Sequence, residues 1–214
     1  MGTSDDTADR GASRPYRSRV REERAAETRR RIAMAARELF AAHGFGATTV
    51  ARIAERAGVA APTVYATFGS KGAIVRALLT QMERDADAAA WARRVAEETN
   101  PHQKLAAFAQ WTTVLLSSSK TTIQAVHGAA GDPAITELRD EGNRNRREGL
   151  RSVIASLAQT HALRPGLGEQ RALDRAWILT GVEPYLGATE GCGWSDQEYE
   201  EWLTALLQEQ LLDP

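Results

Sequence analysis

Thr49, Tyr65 and Lys71 stand within one short stretch, TTVARIAERAGVAAPTVYATFGSK (48–71), and share one capacity: each can donate a hydrogen bond to an anion. Around them stand Ala61, Pro62, Thr63 and Thr67, small or hydroxylic groups with no acid–base chemistry to offer, and Arg52 and Arg56 as longer reachers. Phosphate oxygens accept from hydroxyls and ammonium groups, while methyl groups and hydroxyls touch base edges in a major groove. The expected chemistry is therefore recognition of double-stranded DNA. Thr48, Thr49, Arg52, Ala61, Pro62, Thr63, Tyr65, Thr67 and Lys71 form the candidate contact set, with the Thr49 and Tyr65 hydroxyls and the Lys71 ammonium on phosphates.

These groups need two short helices and a tight turn to position them. Ile53, Ala57, Val59 and Val64 fall where two such helices bury side chains against each other, and small Ala54 permits close approach. Gly58 supplies the turn, because a residue without Cβ adopts positive φ at little cost. Pro62 sits in a first helical turn, where its missing N–H is no loss. Together these features predict a helix-turn-helix, whose second helix lies in the major groove. Beneath it, a first helix from about Ala25 to Ala42 turns Ile32, Ala35, Ala36, Leu39 and Phe40 to one side and ends at Gly44. Thr48 or Thr49 offers a hydroxyl to cap the next helix, and Ser70 caps a fourth that carries Ile74, Val75, Leu78, Leu79 and Met82 toward the rest of the chain.

Charge is an independent indication. Between Arg14 and Val75 there are twelve basic and five acidic residues, a net of +7; the rest of the chain holds 15 basic and 23 acidic residues, a net of −8. A nearly neutral total of −1 thus conceals a basic end joined to an acidic body, as expected when one end binds a polyanion. Residues 1–20 lack apolar periodicity and read as a disordered arm. Its basic half, Arg14, Arg17 and Arg19 with neighbouring Arg21, either reaches DNA beside the head or is a solvated tail.

The 214-residue length suits a head of residues 21–70 and a helical body of residues 71–214. No apolar run has the length of a membrane span and no secretion signal opens the chain, so a cytoplasmic location is expected. Cys192 is the single cysteine, which forbids an intramolecular disulfide and a cysteine-built zinc site. Paired with His43, His102, His127 or His161 it offers the elements of a nucleophile and base, but no nucleophile motif, phosphate loop or metal spacing accompanies it. The expectation is that the chain is not an enzyme and uses no cofactor and no metal. A DNA-bending scaffold without sequence choice is a rival, distinguished by equal affinity for any duplex.

The body reads as helical throughout, so the fold class is all-α. Asn100-Pro101 opens a helix with Leu105, Phe108, Thr112, Leu115 and Leu116 inward; Ser117-Ser118-Ser119 and Gly128 to Pro133 bracket a shorter one bearing Ile123 and Val126. A long helix runs to about Thr160. Two more follow, one carrying Ala172, Leu173, Ala176, Trp177 and Leu179 with Pro184 near its end, the other opened by the capping box Ser195 to Glu198.

The stretch TRRRIAMAARELFAAHGFGATTVARIAERAGVAAPTVYATFGSKGAIVRALL (28–79) resembles the DNA-binding domain of the tetracycline-repressor (TetR) family of bacterial transcription regulators, through His43-Gly44-Phe45, Thr48-Thr49-Val50, Ile53-Ala54, Ala57-Gly58-Val59, Thr63-Val64-Tyr65, Phe68 and Lys71. About a quarter of the chain carries the likeness, and Thr67 departs from the aromatic or imidazole side chain of many relatives. The resemblance implies a ligand-responsive repressor, a homodimer on a palindromic operator. It implies that the last two helices pair with their copies, with Trp177, Leu179, Tyr199, Trp202, Leu203, Leu206 and Leu207 as candidates. It also implies a small-molecule effector held in the body, for which Phe108, Trp111, Thr112, Leu115, Ile123, His127, Asn143, Trp177 and Tyr185 are the candidate lining.

Overall fold

The computed structural model describes residues 13–127, 129 and 131–213, with side chains described at all of these but 13–18, 85, 119 and 125–127. In chain order the helices are α1 (Ser13–Ala47), α2 (Val50–Ala57), α3 (Ala61–Phe68), α4 (Lys71–Asp85), α5 (Ala88–Glu97), α6 (Pro101–His127), α7 (Pro133–Gln159), α8 (Glu169–Leu179), α9 (Val182–Leu186) and α10 (Asp196–Leu211), with a π-helical turn Gly187–Gly191 before α10. The fold is all-α, as expected. No helix among the described residues is long and apolar enough to cross a membrane.

Two apolar cores organise these helices. In the head, Ile32, Ala36 and Phe40 of α1 pack with Ile53 and Ala57 of α2, Val64 of α3 and Ile74, Val75 and Leu78 of α4. The head core therefore runs past residue 70. Gly58 takes φ 65° and ψ 41° between α2 and α3, the left-handed geometry that the turn needs. Thr49, of the two hydroxyls considered, caps α2 by accepting from the Arg52 amide, and Ser70 caps α4 through the Ala73 amide. Gly44 interrupts α1 with φ 75° and ψ 166°.

Helices of eight residues are marginal alone, and α2 and α3 are each that long. Cations hold their ends. Arg31 of α1 donates to the carbonyls of Ala57 and Gly58, where α2 ends, and Arg29 donates to the Thr67 carbonyl at 2.9 Å while stacking 4.3 Å from the Phe68 ring. Lys71 donates to the Phe45 and Thr48 carbonyls at 2.7 and 2.9 Å and lies 4.0 Å from the Phe45 ring. Positive charge at helix C-termini is favourable because unpaired carbonyls concentrate partial negative charge there.

In the body, Leu105, Phe108 and Leu116 of α6 pack with Leu150, Ile154 and Leu157 of α7, Leu173 and Ala176 of α8, and Tyr199, Leu203, Leu207 and Leu211 of α10. The Ser195–Glu198 capping box opens α10 as expected. Head and body join where α1 and α4 meet α6 and where α4 meets α7: Ile135 and Leu138 of α7 are buried in the head core, and Arg76 pairs with Glu141. Gly72 is required there, since a Cβ on it would lie 2.8 Å from the Ala134 Cβ.

Three expectations about elements are corrected. α1 begins at Ser13, so residues 13–20, assigned to the disordered arm, are helical; residues 1–12 lie outside the described residues. Arg, Glu and Ala are strong helix formers, and Arg19–Glu23 at i,i+4 supports this turn without any apolar stripe. The break expected at Ser117–Ser119 is absent, because α6 runs unbroken to His127; Ser117 and Ser118 return their hydroxyls to the Val114 and Leu115 carbonyls, which keeps them compatible with a helix. The helix expected to run from Ala172 to Pro184 is divided, with α8 ending at Leu179 and α9 starting at Val182.

Unfolding measurements test this packing at two points. Lys71→Met should lower the urea unfolding free energy by about 1–3 kcal/mol, because two carbonyls lose a charged donor; an unchanged midpoint would show that water replaces the ammonium without cost. Gly72→Val should destabilise by about 1–3 kcal/mol through overpacking against Ala134, and an unaltered melting curve would contradict the close approach.

Candidate nucleic-acid interface

Helical phase decides which side chains of α3 face outward. With Val64 buried and Phe68 half-buried against the head, Pro62, Tyr65 and Ala66 are exposed, Tyr65 at 54 %. Ala61, Thr63 and Thr67 are half-buried, and Thr67 donates its hydroxyl to the Thr63 carbonyl at 2.7 Å. The outward face is thus narrower than the expected set and includes Ala66, which that set omits. Counting from Val64 and Phe68 as inward positions would have found it.

Thr48 leaves the contact set. It is 1 % exposed, and its hydroxyl donates within the head toward the carbonyls of Gly44 at 2.8 Å and Leu39 at 3.2 Å, which locks the α1–α2 corner. Thr49 is exposed; its oxygen accepts the cap bond, which leaves the O–H proton to donate outward. Lys71 commits two of its three N–H donors to the Phe45 and Thr48 carbonyls, so at most one remains for a phosphate. Its first role is to hold the corner that carries Thr49. Arg52 is exposed and donates to His43 Nε2 at 3.2 Å, whereas Arg56 is held by Glu38 of α1 through Nη2 at 2.6 Å and Nε at 2.8 Å. Thr49, Arg52, Pro62, Tyr65 and Ala66 therefore form one exposed patch on α2 and α3, buttressed from behind by α1.

The body candidates divide in the same way. Phe108, Thr112 and Tyr185 are buried; Trp111, Leu115, Ile123 and Trp177 are half-buried. Asn143 is exposed on α7, so it lines no interior space, and the side chain of His127 lies outside the described residues. Trp111 packs edge-on to Phe108 with centroids 5.8 Å apart, and its buried Nε1–H has no hydrogen-bond partner among the described residues. Trp177 is stacked by Arg146 at 3.4 Å, and that guanidinium also donates to the Trp177 carbonyl and the Thr180 hydroxyl. Burial lowers the Arg146 pKa from its ordinary value, with Glu183 opposing the shift. The Tyr185 hydroxyl donates to Asp196 at 2.6 Å. Burial raises its pKa and pushes the Tyr199 phenol up to about 12, so both are neutral at ordinary pH.

Of the pairing candidates, Tyr199, Leu203 and Leu207 are each 0 % exposed and fill the subunit's own core, which removes them from any surface. Leu179 and Leu206 are half-buried, and Trp202 is 37 % exposed. Ile178, absent from the expected set, is 66 % exposed on α8; it falls out of phase with the inward Ala172, Leu173 and Ala176. Cys192 is exposed beyond the π-helical turn, and no group of His, Cys, Asp and Glu among the described residues is arranged to hold a metal ion.

Residues 32–78 match the family model described as bacterial regulatory proteins, tetR family. The HTH-type transcriptional regulator TtgR of Pseudomonas putida is 39 % identical over 79 residues, covering 37 % of this chain. That match spans 38 % of the relative's length. Among solved structures, a SmeT–triclosan complex superposes with a TM-score of 0.69 at 18 % identity over 87 % of this chain and 92 % of that one. NalD of Pseudomonas aeruginosa, the secondary repressor of the MexAB-OprM multidrug efflux pump, does so with a TM-score of 0.68 at 20 % identity over 89 % and 98 %. These structural likenesses extend the shared fold through the body. Residues 32–78 thus carry the DNA-binding head of the tetR family of bacterial regulatory proteins, on a body that shares the fold of these solved structures.

Proposed function

We propose that the chain is a sequence-specific transcription regulator that represses by binding a palindromic operator as a homodimer in the cytoplasm, and that a small molecule held in the body releases it. The observation that carries this reading is the exposed α3 face, Pro62, Tyr65 and Ala66, set beside the Thr49 hydroxyl and Arg52 on a head of net positive charge. Tyr65 and Thr49 would donate to phosphates and fix the register, while small α3 side chains let the helix sit deep in the groove.

Dimerisation is supported by Ile178 and Trp202, large apolar side chains left exposed on α8 and α10 at the end of the molecule that pairs those two helices. One helix-turn-helix reads few base pairs, and a twofold partner doubles the site. For the effector, the partnerless Trp111 Nε1–H is informative: an unsatisfied buried donor costs about 1–3 kcal/mol, which a ligand with a hydrogen-bond acceptor would relieve beside the aromatic surface of Phe108. The junction of Gly72 with Ala134 and of Arg76 with Glu141 gives movement in α7 a direct route to α4 and the head.

Selection from a pool of random duplexes should enrich a palindrome. Tyr65→Phe should weaken binding to it about tenfold, equivalent to about 1.4 kcal/mol, with no change in thermal stability. Recovery of sequences no different from the starting pool would remove the reading. In sedimentation equilibrium, Ile178→Asp combined with Trp202→Asp should convert a dimer to a monomer with an intact head; a wild-type monomer at micromolar concentration would overturn the dimer. Trp111→Phe should weaken any effector recovered by screening metabolites for release, and equal release would take the indole N–H out of the site.

A further inference from the structure

We infer that the N-terminal end of α1 is a second DNA-contacting element, a helical stripe of arginines that lies along the phosphates flanking the base pairs under α3. This rests on the proposed DNA-binding function. Residues 21, 24 and 28 recur at intervals of three and four, which on a helix keeps them on one face. They are Arg21, Arg24 and Thr28. The inner end of that face adjoins the recognition helix: Arg24 and Thr28 line a cleft of about 540 Å³ whose opposite wall is Thr63, Ala66 and Thr67 of α3.

The acidic residues of this segment lie elsewhere on the helix. Glu23 pairs with Arg19 on the opposite face, Glu27 borders Arg24 but is paired with Arg30, and Glu22 follows Arg21 by one residue, a rotation of about 100° out of the stripe. Arg21 and Arg24 are exposed, and neither has an ion-pair or hydrogen-bond partner among the described residues. Arg19 and Arg30 are thus neutralised by paired carboxylates, while Arg21 and Arg24 keep their charge unpaired among the described residues. Residues 21–27 are all exposed, so core packing does not explain this helical extension. From position 21 to 28 a helix rises about 10 Å, roughly the rise of three base-pair steps of duplex. A cationic face of that length, continuous with the recognition helix, fits a phosphate backbone and carries no group for reading bases.

The test uses the full-length protein and the palindrome recovered by selection, made both as the bare core and with ten base pairs of fixed flank on each side. Binding is followed by fluorescence anisotropy across a KCl series. On the flanked duplex, Arg21→Ala with Arg24→Ala should lose about tenfold in affinity, and the slope of log K against log salt should become shallower by about 0.9 for each phosphate no longer neutralised. On the bare core it should bind like wild type. Arg21→Lys with Arg24→Lys should keep the wild-type salt slope, and Arg19→Ala, the same charge removed from the opposite face, should change nothing. An unchanged slope on the flanked duplex, an equal loss on both duplexes, or an equal loss from Arg19→Ala would each overturn the stripe. Failure to recover any palindrome would instead overturn the functional reading beneath it.

Discussion

A helix of two turns cannot present a face reliably unless something else holds both its ends. In this chain the holding groups are cations aimed at backbone carbonyls: Arg31 at the end of α2, Arg29 at the end of α3, and Lys71 at the corner where α1 turns toward α2. Each supplies charged donors to carbonyls that a short helix or tight corner leaves unpaired, and each comes from a neighbouring element, so local order and tertiary order form together. Thr48 completes the corner from beneath. The exposed Tyr65, Pro62 and Ala66 inherit their position from this scaffold, and the basic character of the head serves its architecture as well as its charge.

The same economy shapes the link to the body. α7 belongs to both cores, burying Ile135 and Leu138 in the head and Leu150, Ile154 and Leu157 in the body, while its Ala134 and Glu141 meet Gly72 and Arg76 of α4. Because α6 also lies against α1 and α4, the junction is packed on several sides, and tightly packed contacts deform poorly. In the proposed function, this junction would carry a ligand's effect on the body to the head. Coupling of about 1–3 kcal/mol across it is enough for a roughly 5- to 150-fold change in affinity.

How much of this was legible in the sequence varies with the kind of interaction. The helix-turn-helix was legible because its determinants are local: Gly58 for the turn, Thr49 and Ser70 for caps, Val64 and Ile53 for the inward phase. Thr48 was misread because a hydroxyl beside a cap looks the same in sequence whether it faces solvent or the Gly44 and Leu39 carbonyls behind it. The intramolecular partners of Lys71 and Arg56 were not legible because Phe45, Thr48 and Glu38 lie far off in sequence. The serine break in α6 failed because serines folded back on the preceding turn are silent in composition. In the body, Tyr199 and Leu203 carry the same apolar signal as Trp202 and Ile178, and only packing separates core from surface.

The proposed function calls for a twofold molecule whose α3 helices enter successive major grooves on one side of a duplex. Hydroxyl-radical footprinting of the selected palindrome tests it most directly. Two symmetric protected patches, centred one helical turn of about 34–36 Å or a multiple apart, are predicted. A single unphased run of protection, or protection that does not follow the palindrome's axis, would contradict it.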